Sequence, residues 1–167
     1  MEKDKKKLFK EIFSYVLIII IVILIKTYIV SPIRVNGDSM YKTLHDKDIM
    51  ILNEASYLFQ EIERFDIVVV KHENEYIIKR VLGLPGEKIE CRNGVIYVNG
   101  KEIKDKYGYG ETEDFEMTEI GEDAYFLLGD NRNDSLDSRI FGTFNRKAIK
   151  GKASFTIFPF NRFGSKE

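Results

Sequence analysis

Three short segments of this 167-residue chain carry the side chains best able to do chemistry. Val35-Asn36-Gly37-Asp38-Ser39-Met40 offers a hydroxyl. Tyr76-Ile77-Ile78-Lys79-Arg80-Val81, running on into Leu82-Gly83-Leu84-Pro85-Gly86, offers a lysine amine. Gly129-Asp130-Asn131-Arg132-Asn133-Asp134-Ser135-Leu136-Asp137-Ser138-Arg139 offers further hydroxyls, carboxylates and guanidinium groups. Each segment also has a plainer reading. A serine in Gly-Asp-Ser is commonly a turn residue, a lysine after two isoleucines the polar face of a strand, and a Gly-Asp-Asn run a loop held by side-chain-to-backbone bonds.

Other chemistries fit less well. The chain has two histidines, and a Ser-His-Asp triad would need one of them beside a serine and an acid. His45 lies in a polar turn and His72 at the end of an apolar run. The aspartate-rich segment from Asp130 fails as a calcium loop, because Arg132 stands at its third position and Ser135 where the turn requires glycine. Asn133-Asp134-Ser135 is formally a glycosylation sequon, a weak match alone. The single cysteine, Cys91, excludes an intrachain disulfide or a Cys-based zinc cage. A net charge of −1 gives no global field that would attract nucleic acid.

The elements around these segments divide sharply. Residues 1–30 hold six lysines and three acids, and the rest of the chain is net acidic. Ile12 to Val30 is nearly uncharged, with Lys26 near its far end. As a helix it would span roughly 28 Å, close to a bilayer's hydrocarbon core. Val16–Ile25 has no polar stripe, which argues against a buried helix of a soluble protein. The exit, Lys26-Thr27-Tyr28-Ile29-Val30-Ser31-Pro32, lacks the small-residue cleavage site of a removable signal. The expectation is an uncleaved transmembrane anchor over 12–30, with Lys26 and Tyr28 at one interface. The lysine-rich head, 1–11, then lies in the cytoplasm and residues 31–167 outside it.

Beyond Ser31 the chain reads mainly as β. Asp48–Leu52, Asp66–Lys71, Glu75–Leu82, Glu87–Cys91, Gly94–Val98, Tyr125–Leu128 and Lys152–Ile157 are short and rich in Val, Ile, Tyr and Phe. Asn93-Gly94 and Asn99-Gly100 are hairpin dipeptides, and Gly83-Leu84-Pro85-Gly86 is a tight reversal. Tyr57–Glu63 and Arg146–Ile149 suit short helical turns. Lys104–Gly121, acidic and glycine-containing, suits an exposed hairpin or loop. The fold expected is a mainly β, antiparallel domain behind one N-terminal transmembrane helix.

Taken together, the three segments resemble, in order, the serine, lysine and Gly-Asp-Asn-Arg boxes of the type I bacterial signal peptidases. Phe65–Val70, Phe141-Gly142 and Ile149–Ala153 also fit, so the likeness runs from the anchor to about Pro159. The resemblance implies an extracytoplasmic peptidase domain over 31–167, with Ser39 as nucleophile and Lys79 as general base. It implies that Ser135 orients the amine and that Asp137 and Arg139 form a supporting ion pair. It calls for no cofactor or metal. A serine hydroxyl needs a base to take its proton, and a lysine serves when desolvation keeps it neutral. Gly37 stands where some members have a serine that helps hold the oxyanion, so the resemblance is closer to the Gly-x-Ser-Met variant of the short, single-anchor members; Lys42 stands where proline is common.

The partners implied are secretory precursors cut after small-x-small sites, the lipid bilayer, and a position near the translocon, with no nucleic acid. Ser39 lies only eight residues past Ser31, so the cut is expected near the membrane face. Ile33, Val35, Met40 and Ile78 are the apolar residues placed to line shallow substrate pockets, whereas Leu44 suits the core better. Phe158, Phe160 and Phe163 suit either a membrane-facing edge or a place in the core or tail. Two other classes compete. A cytosolic Ser-Lys self-cleaving repressor is opposed by the apolar segment and the lack of a helix-turn-helix. A non-catalytic membrane-tethered β module would show no turnover dependent on Ser39 and Lys79.

Overall fold

The computed structural model describes the backbone of residues 2–28 and 30–166, and the side chains of residue 7, residues 9–23 and residues 30–166. Helix α1, Glu2–Tyr28, is followed by strand β1, Val30–Arg34. Large apolar side chains from Ile12 to Ile23 are exposed all round α1, as an unbroken apolar sequence requires. Among the described residues no helix is long and apolar enough to cross a membrane. The expected interfacial Lys26 and Tyr28 have side chains outside the described set, as do most of the lysines of the basic head.

The remaining elements are β2 (Ile49–Asn53), α2 (Ser56–Phe59), β3 (Ile67–His72), β4 (Glu75–Gly83), β5 (Lys88–Arg92), β6 (Val95–Val98), β7 (Lys101–Glu102), β8 (Phe115–Glu119), β9 (Ala124–Leu128), α3 (Ser138–Phe141), β10 (Phe144–Asn145), β11 (Ile149–Phe158) and β12 (Gly164–Ser165). The large sheet runs β1-β2-β11-β3-β4-β9-β10, with β12 on β11, and the small sheet runs β7-β6-β5-β8. All the strand pairs are antiparallel. The expected strands are therefore present within a few residues of their bounds.

One strand goes beyond the expected set, and one expectation needs correction. Val30–Arg34 is a strand despite Pro32, because β1 is the terminal strand of its sheet and one edge needs no donor there. The segment 104–121 is not simply an exposed hairpin or loop. Phe115 stacks on Phe126 with centroids 5.1 Å apart, which carries Phe115–Glu119 into the small sheet beside β5. Tyr57–Glu63 and Arg146–Ile149 shorten to the helical turns Ser56–Phe59 and Arg146–Ala148.

Three apolar clusters position the site. Val35, Met40, Leu44, Met50, Leu52, Ile67, Val69 and Ala153 pack beneath the serine segment. Val68, Val70, Val81, Leu127 and Ile149 pack on the other side of the large sheet. Leu82, Phe126 and Leu128 of the large sheet join Ile89, Cys91, Ile96 and Val98 of the small one. The last cluster makes the sheets one packed body, since each apolar face needs the other to leave water.

Candidate active site

Ser39 stands in an irregular loop whose ends are tied together. The Val35 N–H donates to Asp48 O at 2.8 Å and the Lys47 N–H to Val35 O at 2.9 Å. Gly37 has φ +79°, and its N–H donates to Asp46 Oδ1 at 3.0 Å, which holds the Asp46 carboxyl low. Met40 and Leu44 are buried on either side of the turn, so they plug the loop into the core and leave Ser39 at the surface. The Tyr41–Lys42 peptide bond, at the position where the family commonly has proline, is cis.

Lys79 arrives from β4, opposite Val68 of β3, and is only 3% exposed. Its Nζ lies 2.7 Å from Ser39 Oγ, across 40 residues of sequence. Burial pushes the amine from 10.5 down to about 8, against the pull of the Asp137 and Asp130 carboxylates and with help from Arg139. An uncharged Lys79 can accept the Ser39 proton at this distance, which is the geometry of a serine nucleophile with its base.

The loop after β9 braces the Ser39 segment and brings charged groups near Lys79. The Asn131 N–H donates to Ser39 O at 3.0 Å and its Nδ2 to Asp38 O at 3.1 Å. Asp137 caps α3 by accepting from the Arg139 N–H, and it also accepts from the Gly129 N–H at 3.0 Å. Its carboxylate pairs with Arg139 through Nε and Nη2, both at 2.9 Å. Burial pushes the Asp137 carboxyl up, but the bonds from Arg139 and Gly129 outweigh it and hold it below the usual range. The expected Asp137–Arg139 pair is therefore formed. Ser135 is brought to the same place, where its buried hydroxyl joins the groups that hold the Asp137 carboxyl low; among the described residues it makes no bond to Lys79. A Cβ at Gly129 would collide with Ser135 Oγ and Ser39 O, so only glycine fits between them.

A cleft of about 930 Å³ opens beside the pair. One wall is β1, the terminal strand of the large sheet, and the other is Glu75–Lys79, which pairs with β3 but is not reached by β9. Two unpaired strand edges thus face a common space. The four expected pocket residues, Ile33, Val35, Met40 and Ile78, all line it. Leu44 is fully buried in the core. His45 packs edge-on against Tyr41 at 5.2 Å and His72 stacks on Phe141 at 4.0 Å. Among the described residues no group of three His, Cys, Asp or Glu side chains could hold a metal ion.

Sequence reasoning missed Arg80. Its guanidinium is fully buried and grips both Asp130 carboxylate oxygens at 2.8 Å. The only signal was its position beside Lys79 in a strand of alternating faces, which sends it to the opposite side.

The comparisons agree with this geometry. A model of the family described as signal peptidase, peptidase S26, matches residues 8–158. A signal peptidase I of Bacillus amyloliquefaciens is 36% identical over 160 residues, covering 89% of this chain and 86% of the relative. Signal peptidase I S of Bacillus subtilis strain 168 is 35% identical, with 94% and 92% covered. Signal peptidase IB of Staphylococcus aureus is 34% identical, with 95% and 94% covered. The crystal structure of a signal peptidase I from Enterococcus faecalis V583 superposes with a TM-score of 0.51 at 32% identity, covering 56% of this chain and 97% of that one. The match spans all three chemical segments and both strand edges of the cleft, and the chain belongs to the signal peptidase family, peptidase S26.

Proposed function

We propose that Ser39 and Lys79 are the working pair of a membrane-anchored serine endopeptidase that removes signal peptides from secreted precursors. The observation that carries this reading is the 2.7 Å approach of the Lys79 amine to Ser39 Oγ at a site where burial lowers the amine from 10.5 to about 8.

The steps follow from the groups present. Neutral Lys79 takes the Ser39 proton as Oγ attacks the carbonyl carbon preceding the scissile bond. The Ser39 N–H, which among the described residues donates to no backbone acceptor in the loop network, faces the developing oxyanion as one donor. Protonated Lys79 returns the proton to the leaving amine of the mature protein. A water, deprotonated by Lys79, then hydrolyses the ester on Ser39 and restores the enzyme. Asp137 and Arg139 hold the loop and Ser135 stands ready to orient the amine.

The precursor lies extended between β1 and Glu75–Lys79, completing the hydrogen bonds of two open strand edges. Its small side chains, one residue apart from each other, face the shallow floor made by Ile33, Val35, Met40 and Ile78. The anchor reading is supported by the exposed apolar girth of α1, and by β1, a wall of the cleft, beginning two residues after α1 ends. Phe158, Phe160 and Phe163, respectively 48%, 80% and 60% exposed, give the domain a further apolar edge to rest on the bilayer. The N-terminus lies in the cytoplasm and the cleft outside, near the translocon.

Detergent-solubilised protein incubated with a secretory precursor is expected to release a mature chain whose new N-terminus follows a small-x-small site. No cleavage by the parent, or undiminished cleavage by Ser39→Ala, would overturn the assignment. Protease added to intact spheroplasts should digest residues 31–167 and spare an anchored fragment. Protection of the large domain until lysis would overturn the topology.

A further inference from the structure

Between β7 and β8 the chain crosses back over the loop that braces Ser39. The Tyr109 N–H donates to Asp130 O at 2.7 Å and Tyr109 O accepts from the Arg132 N–H at 2.9 Å, so a strap of backbone grips both sides of Asn131. Asn131 is the residue whose two donors hold the Ser39 and Asp38 carbonyls. Arg132, 3% exposed, fastens the strap from beneath. It donates to Thr112 Oγ1 at 2.8 Å, to the Asp105 carboxylate, and to Gly129 O at 3.0 Å. Gly110 has φ +83°, and a Cβ there would come within 2.8 Å of Asn133 Nδ2, so the approach of strap to loop depends on glycine.

The strap also reaches the far face of β4. The Tyr107 ring lies 3.6 Å from Arg80 Cζ, with Phe65 tilted against it at 5.5 Å. Arg80 donates to Phe65 O at 2.7 Å as well as to Asp130, and Asp130 accepts from Thr43 Oγ1 at 2.5 Å. This junction joins three pieces: β4 one residue from Lys79, the Ser39 loop at Thr43, and the loop of Asn131. Tyr107 is its cover. An aromatic face attracts a guanidinium most strongly where water is excluded.

We infer that residues 105–112 form a positioning strap for the Ser39–Lys79 pair, with Tyr107 acting through Arg80 and Asp130. The inference rests on the Ser39–Lys79 reading above. Without the ring, water reaches the Arg80–Asp130 pair and weakens it, and the Asp130 carboxylate then acts on Lys79 less compensated. The charged groups acting on Lys79 are Asp137 and Asp130, which favour its protonated form, and Arg139, which opposes it, against the larger effect of burial. The acid limb of the rate should therefore move upward when Tyr107 is lost. The same slackening misplaces Ser39 relative to its base, an effect on the chemical step more than on binding.

The test uses the full chain in detergent with a precursor peptide. Tyr107→Leu should lower kcat by about tenfold, leave KM within about twofold, and shift the acid limb upward by about half a pH unit, while Tyr107→Phe recovers most of the loss. A Tyr107→Leu protein with parental kcat and limb would overturn the proposal, even if it melted lower. Should Tyr107→Leu not fold, Asp105→Asn decides. A fall in kcat at unchanged KM supports the strap, and a parental kcat removes it. Ser39→Ala is run alongside. Turnover surviving in that variant would sink the Ser-Lys reading itself, whereas a dead Ser39→Ala with a parental Tyr107→Leu sinks only the strap.

Discussion

Lys79 and Arg80 are consecutive residues of β4, and both are buried cations, 3% and 0% exposed. Their surroundings differ in kind. On the Arg80 face, Asp130 supplies a bidentate partner, Phe65 a carbonyl and Tyr107 a ring. On the Lys79 face, the described residues place a serine hydroxyl against the amine and no carboxylate in ion-pair contact. A guanidinium does not surrender its proton in proteins, so its burial requires a counter-charge. An amine has a second option, to go neutral, and the Lys79 pocket favours it. One face of the strand builds a rigid junction and the other a base.

The largest effect expected from breaking this contrast is on rate. Lys79→Met should lose about 10²–10⁴-fold in kcat/KM, the range for a positioned general base, measured by single-turnover cleavage of a precursor. Ser39→Ala should lose at least as much. Next comes the opposite face. Arg80→Met leaves Asp130 buried and unpaired, so unfolding in denaturant should show a loss of about 3–5 kcal/mol.

Lys79→Met should have the reverse sign. The folded amine titrates at about 8 against 10.5 for the free group, so the unfolded chain binds more protons between those values. Lys79 thus costs the fold stability fully below pH 8, on the order of 3 kcal/mol, and the cost disappears as pH climbs to 10.5. Thermal melts should place Lys79→Met at or above the parent near pH 7, with the gap closing across that window. A melt well below the parent would make Lys79 a structural residue.

The smallest effect concerns Ser135. Its buried hydroxyl meets the Asp137 carboxylate, which keeps its bonds from Arg139 and Gly129 without it, so Ser135→Ala should cost only about 1 kcal/mol of stability. A fall of about tenfold in kcat would show that the hydroxyl engages the amine during turnover, as catalytic bonds often tighten only with substrate bound. A parental rate would remove Ser135 from the site.

The contrast also explains what could be read from the chain before its structure. Ser39 and Lys79 were legible only together, because three segments in order resemble one family's boxes; alone, Lys79 after two isoleucines reads as the polar face of a strand. Most strands were legible from β-branched runs broken by Asn-Gly turns. The partnership of Arg80 with Asp130, 50 residues away, was not. Its neighbour Tyr107 lies in an acidic stretch whose composition reads as solvent-facing. There Thr112 and Asp105 are held by the buried Arg132, a long-range contact that leaves no period in the sequence. Strand β1 was hidden by Pro32, which only an edge position tolerates.

The central claim, that Lys79 acts on Ser39 as a neutral amine, is tested most directly by the pH dependence of kcat/KM for the full chain on a precursor peptide. The account predicts a rate rising about tenfold per pH unit on the acid side and levelling off above about pH 8, where the amine has lost its proton. A rate flat from neutral pH upward, or one still climbing to the 10.5 of an ordinary lysine, would contradict it.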